Sequence, residues 1–168
     1  MTDATSAAPG PLRGHRDRAA LIAGLAASPG RLAAAVRGAT DADLDREPAP
    51  GEWPARTVLA HLRDDEFMAM RLRIERMLVE DEPALAPFDE QQWAASRWHG
   101  GDSTRDLLEG FRIQRAATCA ILRRLSDEDW RRLGSQPEIG TFDVHWWVGH
   151  TLEHDEVHLA QLARALGR

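Results

Sequence analysis

The sequence predicts an all-α protein, a four-helix bundle with short extra helices in the connecting loops. Three observations lead there. Four long segments carry apolar residues at helical spacing. Strand signals are nearly absent, with no alternating β-branched runs and no Asn-Gly or Asp-Gly hairpin turn. Clusters of proline, glycine and acidic residues separate the long segments. At 168 residues, 43% hydrophobic and 29% charged, the chain suits one domain with a proper core.

Residues 1–15, rich in Ala, Ser, Pro and Gly, read as a loose tail, and residues 16–168 as a single bundle domain. The first long helix starts near Asp17 and is interrupted at "SPG". Ser28 can cap there and Pro29 can sit at the first helical position, so a kinked or restarted helix continues to about Arg37. "TDADLD" pairs Thr40 with Asp43 as a short capped turn, followed by the loop "REPAPGEW". The second long helix opens at Pro54 and ends near Glu80, before "DEPALAPF". A short helix covers "DEQQWAAS". After "HGGDS", Asp102 or Ser103 caps the third long helix, which ends near Leu125. "SDEDW" is another capped turn and "GSQPEIG" a loop. The final helix begins around Phe142 and runs almost to the end.

Composition narrows the function. The net charge of −6 disfavours a nucleic-acid partner, which demands a basic face. All 21 basic residues are Arg, and Lys, Asn and Tyr are missing; a GC-rich genome explains this more simply than function does. One cysteine, Cys119, excludes an intramolecular disulfide framework and reads as a small core residue. No apolar run is long enough to span a membrane. "RGHRDR" followed by "AALIAGLAASPG" faintly imitates a secretory signal. Its internal acid and its short Ala/Gly-rich run fit a first amphipathic helix better. The expected location is cytoplasmic.

The chemistry concentrates in the last helix, "VHWWVGHTLEHDEVHLAQLARAL". His154 and His158, four apart, share one helix face about 6 Å apart at Cβ, which suits two ligands to one ion. They interrupt an apolar seam that includes Val148, Thr151 and Leu162, and buried imidazoles need hydrogen bonds or a metal. His150, another turn back, lies about 40° off His154 as a third ligand, a supporting partner or a surface residue. The spacing is not the HExxH of zinc proteases. Trp147 falls on the same stripe, as core packing or pocket lining. On the second long helix, His61 occupies the inward stripe, and bundles build metal sites from such facing positions. Two histidines from one helix and one from another leave coordination positions open, as in catalytic sites. Asp65, one turn after His61, reads as an exposed carboxylate, with a fourth ligand or a hydrogen-bond acceptor to the ligands as the alternatives. Arg112 and Arg115 are either anion binders or salt-bridge partners. Trp53 staples the start of the second helix. His15, His99 and His145 receive no role.

Trp53 followed by "HLRDDE" after seven intervening residues, together with "HTLEHDEVHLAQL", resembles the DinB-like (YfiT-like) superfamily of metal-binding four-helix proteins. "FDEQQWAASRW" and "LSDEDWRRLG" extend the likeness to residues 18–166, and Gln161 belongs to it. The resemblance implies a divalent ion held by His61, His154 and His158, with His150 outside the ligand set. Zinc or nickel is expected, and manganese is compatible; imidazole nitrogens do not decide among them.

Related proteins include mycothiol-dependent maleylpyruvate isomerase-type domains. The resemblance therefore implies a metal-dependent thiol S-transferase acting on a small-molecule substrate, with a low-molecular-weight thiol such as mycothiol as co-substrate. One alternative is a hydrolase with metal-activated water, its base drawn from Asp65, Glu66, Glu153 or Asp155. The other is a non-enzymatic, homodimeric protein that binds a metal or small ligand.

Overall fold

The computed structural model describes residues 17–97 and 102–168. The tail expected at residues 1–15, and His15 and His99, lie outside them. The long helices are α1 (Arg18–Ala35), α3 (Ala55–Asp65) continuing through a π-helical turn (Glu66–Arg71) into α4 (Leu72–Val79), α6 (Thr104–Leu122) and α7 (Val144–Ala165). Two short α-helices, α2 (Asp41–Asp45) and α5 (Glu90–Ser96), and a 3-10 turn (Asp129–Arg131) sit in the connections. The four-helix expectation is met. Both α1 and α3 pack against α6 and α7, so α1 and α3 stand diagonally across the bundle.

The local capping chemistry follows the sequence closely. Thr40 and Asp43 form a reciprocal capping box, and Ser103 rather than Asp102 caps α6. Asp102 instead pairs with Arg63 and Arg97. Asp17 and Asp143 cap α1 and α7, each accepting from a backbone N–H in the first turn.

Three expectations are corrected. The first long helix does not restart at "SPG": α1 runs through Pro29, and Ser28 is buried inside it, its hydroxyl donating to Asp155 Oδ2 at 2.5 Å, with Gly24 O farther off at 3.3 Å. Pro29 removes one donor from the helix ladder, but tertiary contacts of Leu25 and Leu32 on either side hold the helix in place. The "GSQPEIG" loop is a hairpin, with β1 (Leu133–Gln136) antiparallel to β2 (Gly140–Asp143) and Gly134 opposite Phe142. Accordingly α7 begins at Val144 rather than Phe142. The hairpin also bonds to the chain after α4, through Leu85 N to Ser135 O and Ser135 N to Pro83 O. Gly134 is required there by space. A Cβ would lie 2.9 Å from Met77 Cγ and 3.0 Å from Leu85 Cδ1.

The core divides into two apolar clusters. One gathers Leu21, Leu25, Met70, Ile74, Trp147 and Val148, and the other Leu32, Leu59, Leu62, Leu107, Phe111 and Leu162. On every long helix a polar residue lies between its contributions to the two. Ser28 does so on α1, Asp65 and Glu66 on the second helix, Arg115 on α6, and Asp155 and His158 on α7. A polar layer thus crosses the middle of the bundle. Among the described residues, no helix is long and apolar enough to cross a membrane.

Candidate metal centre

His61, on the inward face of α3, is fully buried, and His158 on α7 is nearly so. Their ring nitrogens converge with that of His154. His154 Nε2 lies 3.3 Å from His61 Nε2 and 3.0 Å from His158 Nε2. His150 stacks on Trp146, with ring centroids 5.1 Å apart, and stands outside the cluster.

Burial is the main reason these imidazoles stay neutral. It pushes His61 down to about 3, with the neighbouring His158 adding to the effect. His154 and His158 are lowered for the same first reason. Gln161 then fixes a tautomer. His158 Nδ1 lies 2.7 Å from Gln161 Oε1, and an amide oxygen only accepts, so Nδ1 carries the hydrogen and Nε2 the lone pair. That lone pair faces the cluster.

Three neutral nitrogens facing one another at such distances cannot all be satisfied by hydrogen bonds among themselves. A cation between them resolves the conflict. Bonds of about 2.0–2.1 Å in tetrahedral geometry put ligand nitrogens about 3.3 Å apart, close to the 3.0 and 3.3 Å separations found. The donor set therefore fits a divalent ion.

Two carboxylates approach the cluster. Glu90, on α5, brings Oε1 to 3.8 Å from His61 Nε2, and its ligating atom lies within 4.8 Å of those of all three histidines. Sequence reasoning missed it as a ligand candidate. "FDEQQW" lay in plain view, but α5 reaches the site only by tertiary packing. Asp65 is the second, with Oδ2 at 3.6 Å from His154 Nε2. It is not the exposed carboxylate expected: only 3% of its surface is accessible, because α3 turns it toward α7. Burial raises its pKa to about 7, against the opposing pull of Arg73.

The other base candidates separate cleanly. Glu153 is exposed, while Glu66 and Asp155 are buried and paired with Arg115. Arg115 is therefore a structural ion-pair partner rather than an anion receptor, and Arg112 pairs with Glu109. Trp147 is core: its indole N–H donates to Met70 O. Trp53 does more than staple a helix, since its ring lies 5.3 Å from that of His61. Trp93 sits at the same distance on its edge. The two indoles wall His61 off from water.

A pocket of about 280 Å³ opens onto the cluster, lined by Trp53, Glu90, Gln91, His158, Gln161 and Arg164 among others. Two residues of the cluster, Glu90 and His158, are thus reachable by a small molecule.

Comparison with known proteins agrees with this picture. Residues 25–162 match the model of the DinB superfamily. YfiT of Bacillus subtilis, provisionally named a metal-dependent hydrolase, is 30% identical over 146 residues, covering 83% of this chain and 80% of its own. A protein of Geobacillus thermodenitrificans with the same provisional name is 34% identical over 115 residues, 67% of this chain and 62% of its own. A solved structure of Bacillus subtilis YfiT, described as an unusual four-helix bundle topology, superposes with a TM-score of 0.83 at 26% identity. The match covers 95% of this chain and 93% of that one.

Proposed function

The chain belongs to the DinB superfamily, and on that premise we propose that it is a metal-dependent hydrolase of small molecules. His61, His154 and His158 are its metal ligands and Glu90 is a fourth, displaceable one. The observation that carries the reading is the convergence of the three Nε2 atoms at 3.0 and 3.3 Å, with Gln161 holding one lone pair inward. A divalent ion, zinc or nickel by ligand type, would supply Lewis acidity and lower the pKa of water brought to the site.

The residues of the chain do the rest. Trp53 and Trp93 exclude water from the back of His61, which keeps the donor set neutral and unprotonated. Substrate enters through the pocket at Glu90 and His158, where the Arg164 guanidinium and the Gln91 amide offer donors to its polar groups. Asp65, buried beside His154, is the carboxylate placed to hold a proton released at the site.

The thiol S-transferase reading, with mycothiol as co-substrate, uses the same ligands, and a non-enzymatic binder would too. The relatives named as hydrolases favour water over thiol as the nucleophile. Metal analysis after loading, with His154→Ala as control, tests the ligand set. Wild type should retain a divalent ion and the variant lose it; equal metal in both overturns the assignment. Ester turnover by zinc- or nickel-loaded protein without thiol is the expected activity. Turnover only with mycothiol would replace hydrolase by transferase.

A further inference from the structure

The polar layer beside the cluster is a continuous network. Arg115, 1% exposed, donates to Asp155 through Nη1 at 2.5 Å and Nη2 at 3.0 Å. Its Nη2 also lies 2.8 Å from Glu66 Oε2. That contact is an ion pair off the N–H direction, since Oε2 has no hydrogen-bond donor aligned with it. Thr118 donates to Glu66 Oε1, and Ser28 to Asp155 Oδ2, each at 2.5 Å. All four long helices contribute. Removing three charges from water is costly and, as a source of stability, often no better than apolar packing. The layer therefore needs another reason to be there.

Its position supplies one. Asp155 follows His154 directly, and Glu66 follows Asp65. The two carboxylates and one guanidinium leave a formal charge of −1 buried next to three neutral imidazoles. A neutral nitrogen set gains from nearby negative charge when it receives a dication, and the low dielectric of the interior strengthens that attraction.

We propose that the Glu66–Arg115–Asp155 layer is a positioning and charge-setting element of the metal centre. It locks α7 and the π turn in the register that brings His154 to His61, and it leaves one buried negative charge beside them. Arg115 holds both carboxylates in place; Glu66 and Asp155 are positioning residues that never touch the ion. The inference rests on the metal reading above.

Two isosteric substitutions test it. Asp155→Asn and Glu66→Gln each keep side-chain shape while cancelling the buried net charge. Zinc affinity of the full chain, measured by chelator competition, should fall tenfold or more in each. Thermal unfolding of the metal-free proteins, run in parallel, reports stability separately. A layer that only supports the fold would lower the unfolding temperature and leave zinc affinity within twofold of wild type; that result overturns the proposal. Should Asp155→Asn fail to fold, Glu66→Gln alone decides in the same way. Wild type and His154→Ala are titrated alongside. Equal zinc binding by those two would defeat the ligand assignment itself, an outcome distinct from failure of the layer.

Discussion

At His158 the decisive contact is on the ring edge turned away from the cluster. The Gln161 amide oxygen takes the Nδ1 hydrogen and so decides which nitrogen offers a lone pair to an ion. Replacing Gln161 with Leu keeps similar bulk but frees the tautomer. Zinc affinity by chelator competition should then drop by about tenfold to a hundredfold, with little change in unfolding temperature, because Gln161 is only half-buried. Asp65 shows the same dependence on surroundings. Its neighbour Asp64 faces Arg63 and the Trp93 indole N–H, while Asp65 is driven inward and its carboxyl is pushed up to about 7. Adjacent identical residues thus acquire different chemistry from helix phase alone.

The helices themselves account for what could be read in advance. The stripe of α7 and the His61 position were legible because apolar spacing tells which face turns inward. The caps at Thr40 and Ser103 were legible because they are local chemistry. The hairpin was not. "LGSQ" and "GTFD" are four residues each, carry glycine, and are held by Pro83, Leu85 and Met77 from elsewhere in the chain. The contribution of Glu90 was hidden for a similar reason, since only the folded placement of α5 brings it to His61. Asp143, at the junction of hairpin and α7, caps the helix that carries two ligands. Asp143→Ala should cost about 1 kcal/mol, read as a lower denaturant midpoint with an unchanged slope.

Across the whole molecule, buried titratable groups set how stability responds to acid. Burial lowers His61 to about 3, and lowers His150, His154 and His158 from the ordinary 6.5. The unfolded chain therefore binds more protons than the folded one as pH drops below 6.5, and stability falls. Asp65 acts in the opposite sense. Raised from 3.8 to about 7, it binds a proton more tightly in the folded state and offsets part of the loss in that window. Metal-free protein should show a lower unfolding midpoint at pH 5 than at pH 7.5, and Asp65→Asn should steepen the decline. Removing the charge that ties the four helices together is more severe. Arg115→Met leaves two buried carboxylates unpaired, and about 3–5 kcal/mol of stability should disappear from denaturant unfolding.

The π turn at Glu66–Arg71 has a consequence for chain length. Val58, Leu62, Glu66, Met70 and Ile74 are all buried at four-residue steps, a spacing that drifts about 40° per step in a regular α-helix. The wide turn houses a surplus residue and absorbs some of that drift, so both ends of the helix still face the core. A chain shortened by one residue there should regain an ordinary ladder. What it gives up is the side-by-side inward placement of Asp65 and Glu66, one facing the imidazoles and the other Arg115. The extra residue is what lets one helix present neighbouring carboxylates to two different partners, the imidazole cluster and the buried guanidinium.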